Sequence, residues 1–416
     1  MEKIREYLTD LCTKAKAAQN ELALCDDNKR NSALEAIAVN IVKRAQNIIE
    51  ANSLDLDAAK SAGLSAAMCD RLLLNEERIE KLAASVRKLK ALADPLGKSE
   101  GWKRPNGLTI ERVSVPLGNV AVIYEARPNV TVDVAAICIK SGNAAILRGG
   151  KEAYNTNLAI ESVLREALES VMLPCELVNL VHDVSRDSSY VLMRLNGYVD
   201  VLIPRGGKGL ISSVVENASV PIIETGAGNC HIYVDEYADL DKALKILVNA
   251  KVSRPSVCNA AEKLIVHASV ADKFLPMVGV AMGEYNVELR ADERARSVID
   301  AVPVCEDDLT REYNDYILSI YVKDSLDEAV AHINAYSTGH SEAIVTESSA
   351  NAESFLDKVN SAVVYHNAST RFTDGEEFGF GAEIGISTQK LHARGPFALE
   401  ALTTVKYRVR GNGQVR

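Results

Sequence analysis

The two glycine signatures that usually mark a nucleotide-binding sheet are missing from this chain: neither GxGxxG nor GxxxxGK[ST] occurs. Any dinucleotide must therefore be held by a different turn. Also missing is an uninterrupted run of about 18 apolar residues, so no membrane span is expected. The opening Met1-Glu2-Lys3-Ile4-Arg5-Glu6-Tyr7 is charged and has no apolar core, which excludes a secretory signal there and makes the cytoplasm the expected location. The eight cysteines include no CxxC pair and no Cys/His spacing suited to zinc, so neither a disulfide framework nor a metal is expected. Positive charge is not in excess either. Lys and Arg number 47 against 57 Asp and Glu, for a net charge of -10, which argues against a nucleic-acid or anionic-membrane surface. The balance does not exclude a local basic pocket for a small anion.

What is present reads as a globular α/β chain, and 416 residues suit two domains with small appendages. Residues 1 to about 95 carry apolar residues at helical spacing, as in Leu34, Ala38, Ile41 and Ala45. Leu108 to Val115 alternates apolar and polar residues and predicts a half-exposed strand or ribbon. From Gly118 onward strands and helices alternate. Short apolar strands are expected at Val120 to Tyr124, Asn143 to Leu147, Leu177 to Val181, Val199 to Ile203 and Pro221 to Ile223. A second series includes Leu264 to His267, Ile317 to Val322, Ala343 to Thr346 and Ala362 to Tyr365.

Six places are candidates to carry chemistry. Arg205-Gly206-Gly207-Lys208-Gly209 is a glycine turn between a strand and a helix, suited to phosphate at a helix N-terminus or simply to turning the chain. Arg148-Gly149-Gly150-Lys151 repeats the arrangement one crossover earlier. Cys258, in Arg254-Pro255-Ser256-Val257-Cys258-Asn259, is either a thiolate nucleophile with Arg254 beside it or a small buried hydrophobe. Asn129 is either an oxyanion donor or a helix cap, and Glu224 either a base or a strand-end carboxylate. The stretch from Phe380 to Gly395, with Lys390, His392 and Arg394, suits an anionic ligand or a solvated loop. The sequon at Asn129 and the SxxK at Ser85 lack any supporting context and are set aside.

Taken together, these segments resemble the aldehyde dehydrogenase superfamily, from roughly Pro116 to Arg408 and more loosely before that. Pro116-Leu117-Gly118-Asn119-Val120 leading to Arg127-Pro128-Asn129 is similar to the strand that ends in the family's oxyanion asparagine. Ala144 to Arg148 is similar to the strand whose last residue meets the adenosine ribose. Glu224-Thr225-Gly226-Ala227-Gly228 falls at the family's Glu-Leu-Gly-Gly segment, Cys258 at its catalytic cysteine, and Glu312 at its nicotinamide-ribose glutamate. Arg254 to Glu262, Ala331 to Glu342 and Phe380 to Pro396 resemble more narrowly the branch that reduces glutamyl 5-phosphate. Ser337 stands where that branch usually has glycine, and Phe380 where it usually has leucine, neither change removing a chemical group.

The resemblance implies an aldehyde-dehydrogenase-like fold of two Rossmann-type α/β domains plus a small oligomerisation β-ribbon. The implied boundaries are 1–100 and 118–224 for the cofactor domain, 225–385 for the catalytic domain, and 101–117 with 396–416 for the ribbon and tail. It implies Cys258 and Asn129 as catalytic residues, with Arg148, Gly206, Gly207 and Glu312 toward NADP. Arg254, Lys390, His392 and Arg394 fall to the substrate's anionic groups, and no metal is called for. The implied reaction is NADPH-dependent reduction of glutamyl 5-phosphate to the semialdehyde through a cysteine thioester, in proline biosynthesis. The alternative is a phosphate-independent aldehyde dehydrogenase with Glu224 as its base. Implied partners are the small-molecule substrate, further copies in a homo-oligomer and, as a candidate, the upstream glutamate 5-kinase.

Overall fold

The structure, a computed structural model, describes the backbone of residues 1–416 and all side chains apart from those of Ala66, Ala67 and Lys208. Its internal contacts divide the chain into two units. The first comprises Met1–Thr225, Gly379–Gly385 and Phe397–Arg416, and the second Gly226–Phe378 and Ile386–Pro396.

Among the described residues the first unit opens with helices α1 (Glu2–Leu22), α2 (Asp27–Lys43), α3 (Ala45–Ser61), α4 (Ala66–Leu72) and α5 (Glu76–Ala91). Helices α2 and α5 start on side-chain caps: Asp26 accepts from Lys29 N–H at 2.8 Å and Asn75 from Arg78 N–H at 2.9 Å. Leu34, Ala38 and Ile41 are buried along one face of α2. The same periodic run does not continue unbroken to Ala45, because Arg44 leaves helical geometry and a new helix begins after it.

A ribbon follows. Strands β1 (Ser99–Lys103) and β2 (Thr109–Pro116) pair antiparallel, and the C-terminal strand Thr403–Arg410 pairs antiparallel with the other edge of β2. Trp102 meets Tyr407 edge-on at 6.3 Å across its surface, and Val405, Tyr407 and Val409 are exposed.

The rest of the unit is β3 (Asn119–Tyr124), α6 (Asn129–Lys140), β4 (Ala144–Arg148), α7 (Tyr154–Ser170), β5 (Val178–Leu180), α8 (Arg186–Leu192), β6 (Val201–Arg205) and α9 (Lys208–Asn217). The strands are parallel in the order β5-β4-β3-β6. Every residue of β3 and β4 is buried, as helices on both faces require. Because the strands are parallel, the turns carrying Asn129, Arg148 and Gly206 all leave from the same carboxyl edge, where open α/β sheets receive ligands. Pro221 to Ile223 does not form the expected strand. It makes a single bridge from Ile222 to Leu202, since Pro221 has no N–H with which to extend a ladder.

Among the described residues the second unit runs β7 (Cys230–Val234), α10 (Leu240–Val252), β8 (Ala261–His267), α11 (Ala268–Gly283), β9 (Glu288–Ala291), α12 (Glu293–Arg296), β10 (Val302–Pro303), β11 (Ile317–Lys323), α13 (Leu326–Tyr336), β12 (Ser341–Val345), α14 (Ser349–Lys358) and β13 (Val363–His366). The sheet is parallel in the order β10-β9-β11-β8-β7-β12-β13. Leu247, Leu264, Phe274 and Ile320 pack on one face, Tyr233, Ile333, Ile344 and Phe355 on the other.

One buried carboxylate ties the helical start of the chain to the first sheet. Asp55 of α3 accepts from the backbone N–H of Asn155 (3.2 Å) and Thr156 (2.8 Å) and from both their side chains (2.8 and 2.5 Å), closing the first turn of α7. Asp55→Ala strands these donors in a site 3% exposed. The expected cost is about 3 kcal/mol, or a fall of roughly 5 °C or more in the melting temperature measured by differential scanning fluorimetry. An unchanged melting curve would show that α7 does not need this cap.

Candidate active site

Cys258 sits half-buried in the turn between the end of α10 and the start of β8. The loop before β7 presses against it from behind. A Cβ placed on Gly228 would overlap the carbonyl carbon and oxygen of Cys258, so only glycine fits there. Two residues on, the Cys230 thiol donates to the Cys258 carbonyl oxygen at 3.2 Å. The turn bearing Cys258 and the loop bearing Gly228 both enter the sheet at the amino ends of their strands.

This loop is itself fixed. Gly228 N–H donates to Glu312 Oε1 at 2.8 Å. Asn229, fully buried, donates its amide to the carbonyls of Leu309 and Tyr336 (2.9 Å each), and its N–H goes to Thr338 Oγ1 at 3.0 Å. The segment Ala331 to Glu342 thus braces the backbone that abuts Cys258. Glu342 adds to it by accepting from the N–H and ring of His231 and from Ser337.

Glu312 is placed by buried charge. Lys251, Glu262 and Lys263 are all fully buried. Lys251 Nζ lies 3.1 Å from Glu262 Oε2, and Glu262 Oε1 accepts from Asn314 N–H at 3.2 Å. Lys263 Nζ donates to Arg311 O at 2.8 Å and lies over the Tyr313 ring. Burial pushes the Glu262 carboxyl up and the Lys263 ammonium down, each opposed by the other's charge. These contacts hold residues 311–314 from within the unit, and Glu312 projects from that stretch.

A residue the sequence did not flag stands on the other side. Arg371 donates from one terminal nitrogen to Asn259 Oδ1 and from Nε to Ser253 Oγ at 3.2 Å, while Asn259 returns its amide to the carbonyls of Arg371 (3.2 Å) and Thr373 (3.0 Å). The guanidinium therefore spans the two ends of the turn that holds Arg254 and Cys258. Burial lowers its pKa, Arg254 lowers it further, and Cys258 acts in the opposite direction. The only hint in the sequence was an arginine in the polar run Asn367-Ala368-Ser369-Thr370-Arg371 after an apolar strand.

Of the expected anion residues, Arg254 is exposed beside Arg371. Lys390, His392 and Arg394 are exposed, His392 with φ of 64°, and Arg394 donates to Asn360 O and Oδ1 at 3.2 Å. Their segment joins the same loop as Gly228 through Gly226 N–H to Ile386 O at 2.9 Å, with Thr388 packed against Gly226.

In the first unit, Asn129 does not cap its helix. Pro128 occupies the cap, and Asn129 Nδ2 donates to Asp133 Oδ2 at 3.1 Å, one of the two hydrogens that group carries. Burial raises the Asp133 carboxyl to about 6. Arg148 is 8% exposed and uses its terminal nitrogens on the carbonyls of Gly149, Val184 and Ser185 (2.9, 2.6 and 2.8 Å). That makes it a brace between β4 and the start of α8, with Nε left without a partner. Lys151 nearby is exposed. At the start of α9, Gly207 N–H donates to Glu125 Oε2 at 3.0 Å, and a Cβ on Gly206 would strike the same carboxylate.

Residues 4–299 match the sequence model of the aldehyde dehydrogenase family. The chain belongs to that family. Membership makes it an oxidoreductase acting on aldehyde groups with a nicotinamide cofactor. It is 54% identical over 404 residues to the gamma-glutamyl phosphate reductase of Clostridium beijerinckii, covering 97% of this chain and 98% of that one. It is 55% identical to the enzyme of that name from Carboxydothermus hydrogenoformans, covering 99% and 100%. The crystal structure of gamma-glutamyl phosphate reductase from Thermotoga maritima matches at 46% identity with a TM-score of 0.96, covering 98% and 99%. Among the described residues no helix is long and apolar enough to cross a membrane.

Gly228→Ala tests the packing behind the cysteine. The added methyl must displace the Cys258 backbone, and a displacement of about 1 Å is enough to cost about 100-fold in kcat. The variant should fold, by circular dichroism, and lose turnover. Normal turnover would show that the turn tolerates movement.

Proposed function

We propose that this chain reduces gamma-glutamyl phosphate to glutamate 5-semialdehyde with release of phosphate in proline biosynthesis, using NADPH and a thioester on Cys258. The observation that carries the chemical part is the Cys258 turn, fixed by Gly228 behind it and spanned by the Arg371 guanidinium, with Arg254 in the same turn. The substrate follows from relatives of that name at 51% to 55% identity over nearly the whole length.

In the forward direction the thiolate forms a bond to the acyl carbon, the bond from that carbon to the phosphate oxygen breaks, and inorganic phosphate leaves. The Cys258 backbone N–H and the Asn129 amide are the proposed oxyanion donors. When bound, a nicotinamide cofactor supplies the hydride that reduces the thioester. Cys258 then departs as thiolate and the semialdehyde is released. The covalent thioester replaces one difficult step with two easier ones.

The residues at the carboxyl edge of the first sheet fit such a cofactor. Gly207 N–H, at a helix start, already takes an anionic oxygen from Glu125, as it would take one from a phosphate. Glu312 is the proposed partner of the nicotinamide ribose, with one carboxylate oxygen engaged by Gly228 and a second that also accepts. For the 2′-phosphate that distinguishes NADPH, exposed Lys151 fits better than Arg148, whose guanidinium is taken up by carbonyls. Lys151→Ala should raise the KM for NADPH by about tenfold, near 1.4 kcal/mol, and leave NADH unchanged. Arg148→Ala should instead weaken both cofactors alike and lower the melting temperature. The reverse pattern would return the role to Arg148.

Phosphate, not water, is the proposed acyl acceptor in the oxidative direction. A phosphate anion needs positioning rather than deprotonation, so Glu224 is dispensable as a base. The test is NADPH formation from glutamate 5-semialdehyde at rising phosphate. Saturable dependence with less than about a threefold change in Glu224→Gln is expected. Brisk oxidation without phosphate that collapses in Glu224→Gln would overturn this reading and favour the hydrolytic one. Homo-oligomerisation through the ribbon, a cytoplasmic location and contact with the upstream kinase belong to the same proposal.

A further inference from the structure

A cysteine with an ordinary pKa near 8.5 is only a few per cent thiolate at neutral pH, and partial burial reduces that fraction further. The chain shows what burial alone does: it pushes the Cys12 thiol up to about 12 and raises Cys138 as well. A half-buried Cys258 acting as nucleophile therefore needs a nearby positive charge. Arg254 lies in the same turn, and Arg371 and Asp374 come from the segment after β13. Glu312 is bonded to the abutting Gly228, Cys230 donates to the Cys258 carbonyl, and Glu342 and Glu262 act on Cys230.

Two of these groups are cations, and they differ in how firmly they are held. Arg254 is exposed, so water and salt screen it. Arg371 is half-buried and gripped at both ends of the turn, by Ser253 Oγ and by Asn259 Oδ1. Thr370 Oγ1 donates to Asn259 O at 2.7 Å and closes the clamp. Keeping a guanidinium this close to a second guanidinium costs repulsion, which an anion in the turn relieves.

We propose that Arg371 is the positioning residue that keeps the Cys258 side chain a thiolate in the free enzyme. This rests on Cys258 being the nucleophile, and the test separates the two claims. The rate of iodoacetamide alkylation at Cys258 is followed from about pH 6 to pH 10 by mass spectrometry of the Cys258 peptide, in cofactor-free enzyme. Arg371→Gln should react about tenfold more slowly near pH 7, the effect of about one pKa unit, and match the wild type near pH 10 where both are ionised. Arg371→Lys should recover most of the rate, and Arg254→Gln should shift the profile by less than about twofold. A superimposable profile in Arg371→Gln, or a full shift in Arg254→Gln, would overturn the proposal. Should Arg371→Gln melt early, the decision falls to Asn259→Ala, which frees one end of the guanidinium and should shift the profile the same way. An unshifted profile there counts against the proposal. Cys258→Ala is the separate arm: turnover in that variant would sink the thioester reading itself.

Discussion

The contact between Gly228 and the backbone of Cys258 constrains the rest of the second unit. With no room for even a methyl group, the loop before β7 and the turn before β8 behave as one body. Whatever fixes one fixes the other. Asn229 fixes the loop through three hydrogen bonds to residues 309, 336 and 338, and Glu312 does so through Gly228 N–H. The cysteine's position is therefore set by segments up to about 80 residues away in sequence, each acting on backbone rather than on the thiol. A nucleophile must hold its geometry closely to work, and here rigidity comes from packed main chain.

The buried Lys251, Glu262 and Lys263 make sense in that light. Burying three ionisable side chains is costly, and breaking such a pair typically costs about 3–5 kcal/mol more. Apolar residues would fill the same space more cheaply. Charged ones can do what apolar ones cannot: Glu262 accepts from Asn314 N–H, and Lys263 donates to Arg311 O, on either side of Glu312. The charges exchange stability for a defined loop position, and the loop carries the carboxylate that contacts Gly228.

Much of the fold was legible because its signals are local. Apolar runs such as Val120 to Tyr124, helical spacing in α2 and alternation in β2 each follow from burial on two faces, one stripe or one side. Two failures have physical causes. Pro221 to Ile223 has strand composition, but its proline removes the donor a ladder needs, and only a bridge forms. Cys230 to Val234 was passed over, although it lies between β8 and β12 in the sheet, because Cys230 and His231 open it with residues that read as loop. Of the candidate site, Asn129 and Cys258 stood out as local motifs, while Glu312 came only from the family resemblance. Arg371 was not legible because it meets the Cys258 turn from more than a hundred residues away, and Arg148 has the sequence position of a ligand residue but the bonds of a brace.

The two units handle negative charge by different physics. At the start of α9, where a cofactor phosphate is proposed to bind, the donors on offer are backbone N–H groups at the positive end of a helix. Glu125 already occupies Gly207 N–H and is exposed on its other side, so an incoming phosphate exchanges with a carboxylate that water readily takes back. Such an exchange would suit the proposed cofactor, which must come and go. Around Cys258, anion affinity comes from two full positive charges, one of them partly desolvated and pinned. That field persists when no ligand is present. It suits a group that must remain charged between turnovers, and a thiolate is such a group where a bound dinucleotide is not.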